Sequence, residues 1–160
     1  MKSIKSAAIV ALASGILSVS LTAGPTATQD VTFAVEAINE LAISGAPNLV
    51  INVATAGEDP EPDTATGTYA ITTNETGRKI TAALDQAMPA GLTLQVDVAQ
   101  PTGATSVPAV TLTVADADVV TGISTVSESG NAITYTLSAT AEAGVVTEQT
   151  RTVTYTITAQ

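Results

Sequence analysis

Leu92-Thr93-Leu94-Gln95-Val96-Asp97-Val98 is the stretch on which the fold reading turns. In an extended chain Leu92, Leu94, Val96 and Val98 share one face, and Thr93, Gln95 and Asp97 share the other. A period of two is that of a β-strand with one face in a core and one in water, because successive Cβ atoms point to opposite sides of a pleated chain. The segment is bounded as a strand should be. Met88-Pro89-Ala90-Gly91 makes a turn before it, and a loop from 101 to 108 follows.

The same pattern recurs in both directions. Toward the C-terminus, Val110, Leu112 and Val114 alternate, and 116–123 reads as a bent strand or one helical turn. Residues 127–131 read as a turn. Ile133, Tyr135, Leu137 and Ala139 then share a face, as do Val153, Tyr155, Ile157 and Ala159, and these last two segments read as a pair. Toward the N-terminus, 78–85 places Ile80, Ala82 and Leu84 inward. The turn Asn74-Glu75-Thr76-Gly77 joins it to 66–73, where Tyr69, Ile71 and Thr73 align, so the two are expected to form a hairpin. Further strands are expected at 49–54, 41–44 and 31–37, the last with Val31, Phe33, Val35 and Ala37 on one face. The expectation is an all-β protein, an Ig-like or jelly-roll-like β-sandwich of about eight to ten strands, with no fixed-period repeat.

Composition agrees. The chain holds 28 Thr and 28 Ala but only four aromatic residues, Phe33, Tyr69, Tyr135 and Tyr155. Thr favours strands because its branched Cβ suits a pleated surface, and its hydroxyl keeps an outer face soluble without charge. The core must come from Val, Ile, Leu, Ala and Thr, which bury less area per residue than aromatics. With no Cys and no His, thiol nucleophiles, disulfides, thiolate metal sites, imidazole chemistry and a Ser–His pair are excluded.

Residues 1–27 have the three parts of a secretory leader: Lys2 and Lys5, an apolar run through Leu21, then small residues. The run is short and rich in Ala and Ser, so cleavage is expected rather than a membrane anchor. The remaining 28–160 form a single domain. Loss of Lys2 and Lys5 leaves three basic residues (Arg78, Lys79, Arg151) against 15 acidic ones, a net charge of −12. Nucleic acid is excluded as a partner, since binding it requires clustered cations. Membrane insertion of the mature chain is not expected. The expected location is outside the cytoplasm: secreted, at the cell surface or in a periplasm.

Reactive groups are few. Glu58, Asp59, Glu61 and Asp63 put four carboxylates within six residues, separated by Pro60 and Pro62. Clustered oxygen ligands suit Ca²⁺, but the spacing is not that of an EF-hand. Asp116 and Asp118, two apart, would share a face on a strand and could begin an oxygen-ligand site; equally, they could keep an edge soluble. A solvated loop and a soluble edge are the leading readings, so no cofactor is expected and Ca²⁺ is the one ion considered. Fifteen acids would supply a carboxylate pair for glycoside hydrolysis by chance alone, without the aromatics that sugar sites use. Asn74-Glu75-Thr76 fits the N-glycosylation pattern and also reads simply as a turn.

The leader, the alternating Val31-Thr32-Phe33-Ala34-Val35 behind it, and the Thr-rich terminal strand Arg151-Thr152-Val153-Thr154-Tyr155-Thr156-Ile157-Thr158 together resemble secreted β-sandwich subunits of the fimbrial and surface-fibre type. The Cys pair frequent in chaperone–usher subunits is absent. The resemblance implies a non-enzymatic structural domain that assembles with itself or with another cell-surface protein, Val31, Phe33, Val35 and Ala37 forming an intersubunit strand. An adhesive module with a glycan or protein ligand is the alternative, and a secreted hydrolase using a carboxylate pair is the second. In the simplest case 31–37 is an ordinary first strand.

Overall fold

The structure is a computed structural model and describes residues 24–160. The chain divides into two units between Ala34 and Val35. Of the first, 24–34 are described and hold neither strand nor helix. Most of the expected leader therefore lies outside the described residues. Among the described residues no helix is long and apolar enough to cross a membrane.

The second unit is all-β, with two antiparallel sheets. Its strands are β1 (Asn39–Ser44), β2 (Asp63–Thr73), β3 (Arg78–Leu84), β4 (Leu92–Val98), β5 (Thr105–Ser106), β6 (Val110–Thr111), β7 (Ala117–Ile123), β8 (Val126–Ala139) and β9 (Val153–Ala159). One sheet has the order β1-β2-β8-β4-β6, the other β5-β7-β3-β9. A single 3-10 turn, Ala141–Ala143, precedes the long connection to β9.

The inward faces are those the alternation marks. Tyr69, Ile71 and Thr73 of β2, Leu94, Val96 and Val98 of β4, and Ile133 and Tyr135 of β8 are buried. Ile80, Ala82 and Leu84 of β3 and Val119, Val120 and Ile123 of β7 are buried in the other sheet, and all the apolar ones belong to one core. Consecutive burial of Val119 and Val120 breaks strict alternation because of a bulge: Ile80 pairs with Val120 and Thr81 with Asp118, which leaves Val119 unpaired.

Several expected pairings are corrected. β2 and β3 do not form a hairpin. β2 pairs with β1 and β8, β3 with β7 and β9, so 74–77 is an arch between sheets. Nor do β8 and β9 pair; they lie in different sheets, joined across the core where the Tyr155 hydroxyl donates to that of Tyr135 at 2.8 Å. Residues 127–131 are not a turn but part of β8, which carries one extra residue between the pairs Tyr69–Asn131 and Ile71–Glu128. Gly130, at φ 77°, supplies the left-handed conformation this bulge requires.

The expected strand at 49–54 is absent. Ala54 makes only an isolated bridge to Pro60, and Val50 and Val53 are exposed. The expected first strand at 31–37 is also absent: the chain there has no ladder partner, and β1 begins at Asn39. Strand β6 stops at Thr111, so Leu112 is buried but Val114 is exposed. The segment left open between helix and strand at 116–123 is β7 from Ala117 onward.

Candidate functional site

Two of the four acids of 58–63 hold backbone through their carboxylates. Asp63, at the start of β2, accepts from Val50 N–H at 2.7 Å and from Thr64 N–H at 2.9 Å. Asp59 accepts from Ala141 N–H at 2.8 Å. Glu61 N–H donates to the Val53 carbonyl at 2.9 Å, while the side chains of Glu58 and Glu61 belong to exposed residues. Asp116 precedes β7, outside any strand, and is exposed, so it does not share a strand face with Asp118, which pairs with Lys79 Nζ at 2.8 Å. Among the described residues no three His, Cys, Asp or Glu side chains converge. Two shallow depressions, of about 180 and 250 Å³, hold Glu40 as sole acid and no acid respectively, so neither presents a carboxylate pair.

A denser polar arrangement sits at the arch. Asn39 and Arg78 both donate to the Glu75 carboxylate. Thr73 Oγ1 donates to Asn39 Oδ1 at 2.8 Å and accepts from Glu75 N–H at 3.1 Å. The amide of Asn39 and the guanidinium of Arg78 hold the Glu75 carboxyl below the usual range, since both favour the charged form.

Beside it, Asn74 clamps the chain that enters β1. Ile38 N–H donates to Asn74 Oδ1 at 2.8 Å, Asn74 Nδ2 donates to the Glu36 carbonyl at 2.8 Å, and Asn74 N–H donates to the Ile38 carbonyl at 3.3 Å. Since Asn39 pairs with Thr73, these bonds continue the line of β1 past the end of β2. The last strand terminates at the same end: Arg78 pairs with Ala159, and Gln160 N–H donates to the Gly77 carbonyl at 2.9 Å. Sequence reading identified Asn74 as a turn residue and missed this clamp, whose partners lie 36 and 38 residues away.

The remaining features are apolar. Val31 is 75% exposed, Phe33 88% and Val35 80%, and Ala37 is exposed as well. At the sheet margins, β1 and β9 are full-length edge strands, while β5 and β6 have two residues each. What these segments present is exposed apolar side chains and the backbone of two edge strands. No family model, curated protein or solved structure matches the chain.

Proposed function

We propose that the chain is a non-enzymatic structural β domain of the Ig-like or jelly-roll-like sandwich class, acting outside the cytoplasm, that joins to copies of itself through residues 31–37. The carrying observation is the exposure of Val31, Phe33 and Val35 in a segment that alternates like a strand yet has no strand partner. An alternating apolar segment with unpaired backbone gains both ladder hydrogen bonds and burial when it adds to a sheet edge. Burying Phe33 alone is worth about 1.5–3 kcal/mol. Among the described residues no three acids converge, and Asp59 and Asp63 are engaged with backbone N–H groups, which favours structure over turnover.

The test is size-exclusion chromatography and electron microscopy of the exported protein and of Phe33→Asp. High-mass species or fibres are expected from the unaltered chain. Phe33→Asp should abolish them while its far-UV circular dichroism stays β-rich. An unaltered chain that stays monomeric at high concentration refutes self-assembly, and a saturable glycan or protein ligand for that monomer would favour the adhesive alternative.

A further inference from the structure

The four sheet edges are unlike one another. On one side of the two sheets lie β5 and β6, two residues each, with Pro101 and Pro108 beside them. Strands this short offer almost no ladder. On the other side lie β1 and β9, which approach one another across the sheets. Strand β1 carries Glu40 and is followed at once by Gly45-Ala46-Pro47. Strand β9, Val153-Thr154-Tyr155-Thr156-Ile157-Thr158-Ala159, has no charge, no proline, no glycine and no bulge in its pairing with β3. The usual devices that keep an edge from pairing are missing from this strand alone among the full-length edges.

We infer that the free edge of β9 receives residues 31–37 of a second copy in antiparallel register, which makes the assembly head-to-tail; this rests on the self-assembly reading above. Length and phase agree, since both segments have seven residues. With Val31 opposite Ala159, Phe33 falls opposite Ile157, Val35 opposite Tyr155 and Ala37 opposite Val153. The donor's apolar side chains then lie on the face where Val153, Tyr155 and Ile157 pack against the core. A chain cannot serve its own β9 in this way. Asn74 holds 36–38 in line with β1, and a reversal toward β9 would have to occur within those clamped residues.

Strand direction fixes the symmetry. The donor segment enters its own domain at the arch end, and β9 of the receiver runs from the far end toward its arch end. Antiparallel addition brings the donor's arch end to the receiver's far end, so the contact joins two different surfaces and repeats head to tail, as a filament or, where the rotation closes, a ring. Parallel addition would set two arch ends together, bringing Glu36 and Glu75 of each against their copies, and would favour a closed pair. Every ladder in both sheets is antiparallel, the more stable arrangement per residue.

Cysteine cross-linking tests this, since the chain has no cysteine of its own. On the outward face, Thr32 lies opposite Thr158 in antiparallel addition and opposite Thr154 in parallel addition. These alternatives are four residues apart on β9, roughly 13 Å, well beyond the roughly 4 Å between Cβ atoms that a disulfide spans. Thr32→Cys chains mixed with Thr158→Cys chains and oxidised should give the mixed disulfide, identified by peptide mass, at roughly ten times the yield of Thr32→Cys with Thr154→Cys. Ala34→Cys with Thr156→Cys should cross-link in either direction and reports use of the β9 edge itself. Preference for the Thr154 pair overturns the head-to-tail arrangement. Failure of all three pairs while high-mass species still form overturns β9 as receiver but leaves self-assembly standing. A wild-type chain that forms no high-mass species removes both.

Discussion

All three tyrosines of the chain are held against ionisation, so the fold should fail in alkali in a defined way. Tyr69 is 2% exposed and donates its hydroxyl proton to the Ala99 carbonyl at 2.6 Å. Burial pushes it up to about 12, and the negative charge of Glu128 adds to the effect. Burial also raises Tyr135, and it raises Tyr155, whose proton is further held in the bond to Tyr135. In the unfolded chain all three ionise near 10. Below that pH both states keep their protons and the stabilisation is fully present. As the pH rises from 10 toward 12 the unfolded state loses protons that the folded state retains, and stability is lost. For Tyr69 alone the gap is worth about 3 kcal/mol by pH 12. Against a typical domain stability of about 5–15 kcal/mol, with Tyr135 and Tyr155 acting in the same direction, unfolding is expected between about pH 10 and 12. Phenolate absorbance measures ionisation without interference, because the chain has no tryptophan, and far-UV circular dichroism measures the fold. The two signals should change together, with all three tyrosines ionising in one cooperative step. Gradual ionisation of the three near pH 10 with the β signal intact would refute the burial reasoning.

Two further predictions concern stability in urea. Gly91 and Gly77 share a left-handed backbone, φ 76° and 65°, but a Cβ on Gly91 would stand 2.8 Å from the backbone of Ala143, whereas one on Gly77 meets nothing within 4 Å. Gly77→Ala should cost about 1 kcal/mol from backbone strain and Gly91→Ala about 2–4 kcal/mol, the difference being the overlap; equal midpoints would show that the Ala143 turn yields freely. Leu94→Asp should destabilise by about 3 kcal/mol or more by burying an unpaired charge, while Thr111→Asp, at an exposed position of β6, should shift the midpoint by less than about 1 kcal/mol. Similar losses from both would mean that the strand phase is wrong.

Burial was legible where one residue decides it. Leu94, Val96 and Val98 or Ile80, Ala82 and Leu84 must face a core whichever strand lies beside them, and alternation alone says so. Pairing was not legible, because it depends on a partner far along the chain. Asn74-Glu75-Thr76-Gly77 can close a hairpin or arch between sheets, and the four residues are the same in both cases. Alternation at 31–37 and 49–54 marks compatibility with a strand, yet neither segment joins a sheet among the described residues. Ser127-Glu128-Ser129-Gly130-Asn131 has turn chemistry because a bulge uses the same left-handed glycine as a turn. The acids of 58–63 were visible as a group, but Asp59 and Asp63 bind N–H groups as distant as that of Ala141, 82 residues from Asp59, which no local pattern records.

The position of β9 in the chain has a consequence for the order of folding. It follows every other strand of the described residues, yet its partner β3 lies far upstream: Leu84 pairs with Val153 and Arg78 with Ala159. Synthesis proceeds from the N-terminus, so one side of β3 stays open until β9 emerges, and such long-range closure is slow. The edge proposed to receive 31–37 is therefore also the last surface to be made. Under the proposed assembly, a nascent chain would present its 31–37 segment early but have nowhere to accept a neighbour's until its own sheet is complete, which would keep unfinished chains from growing.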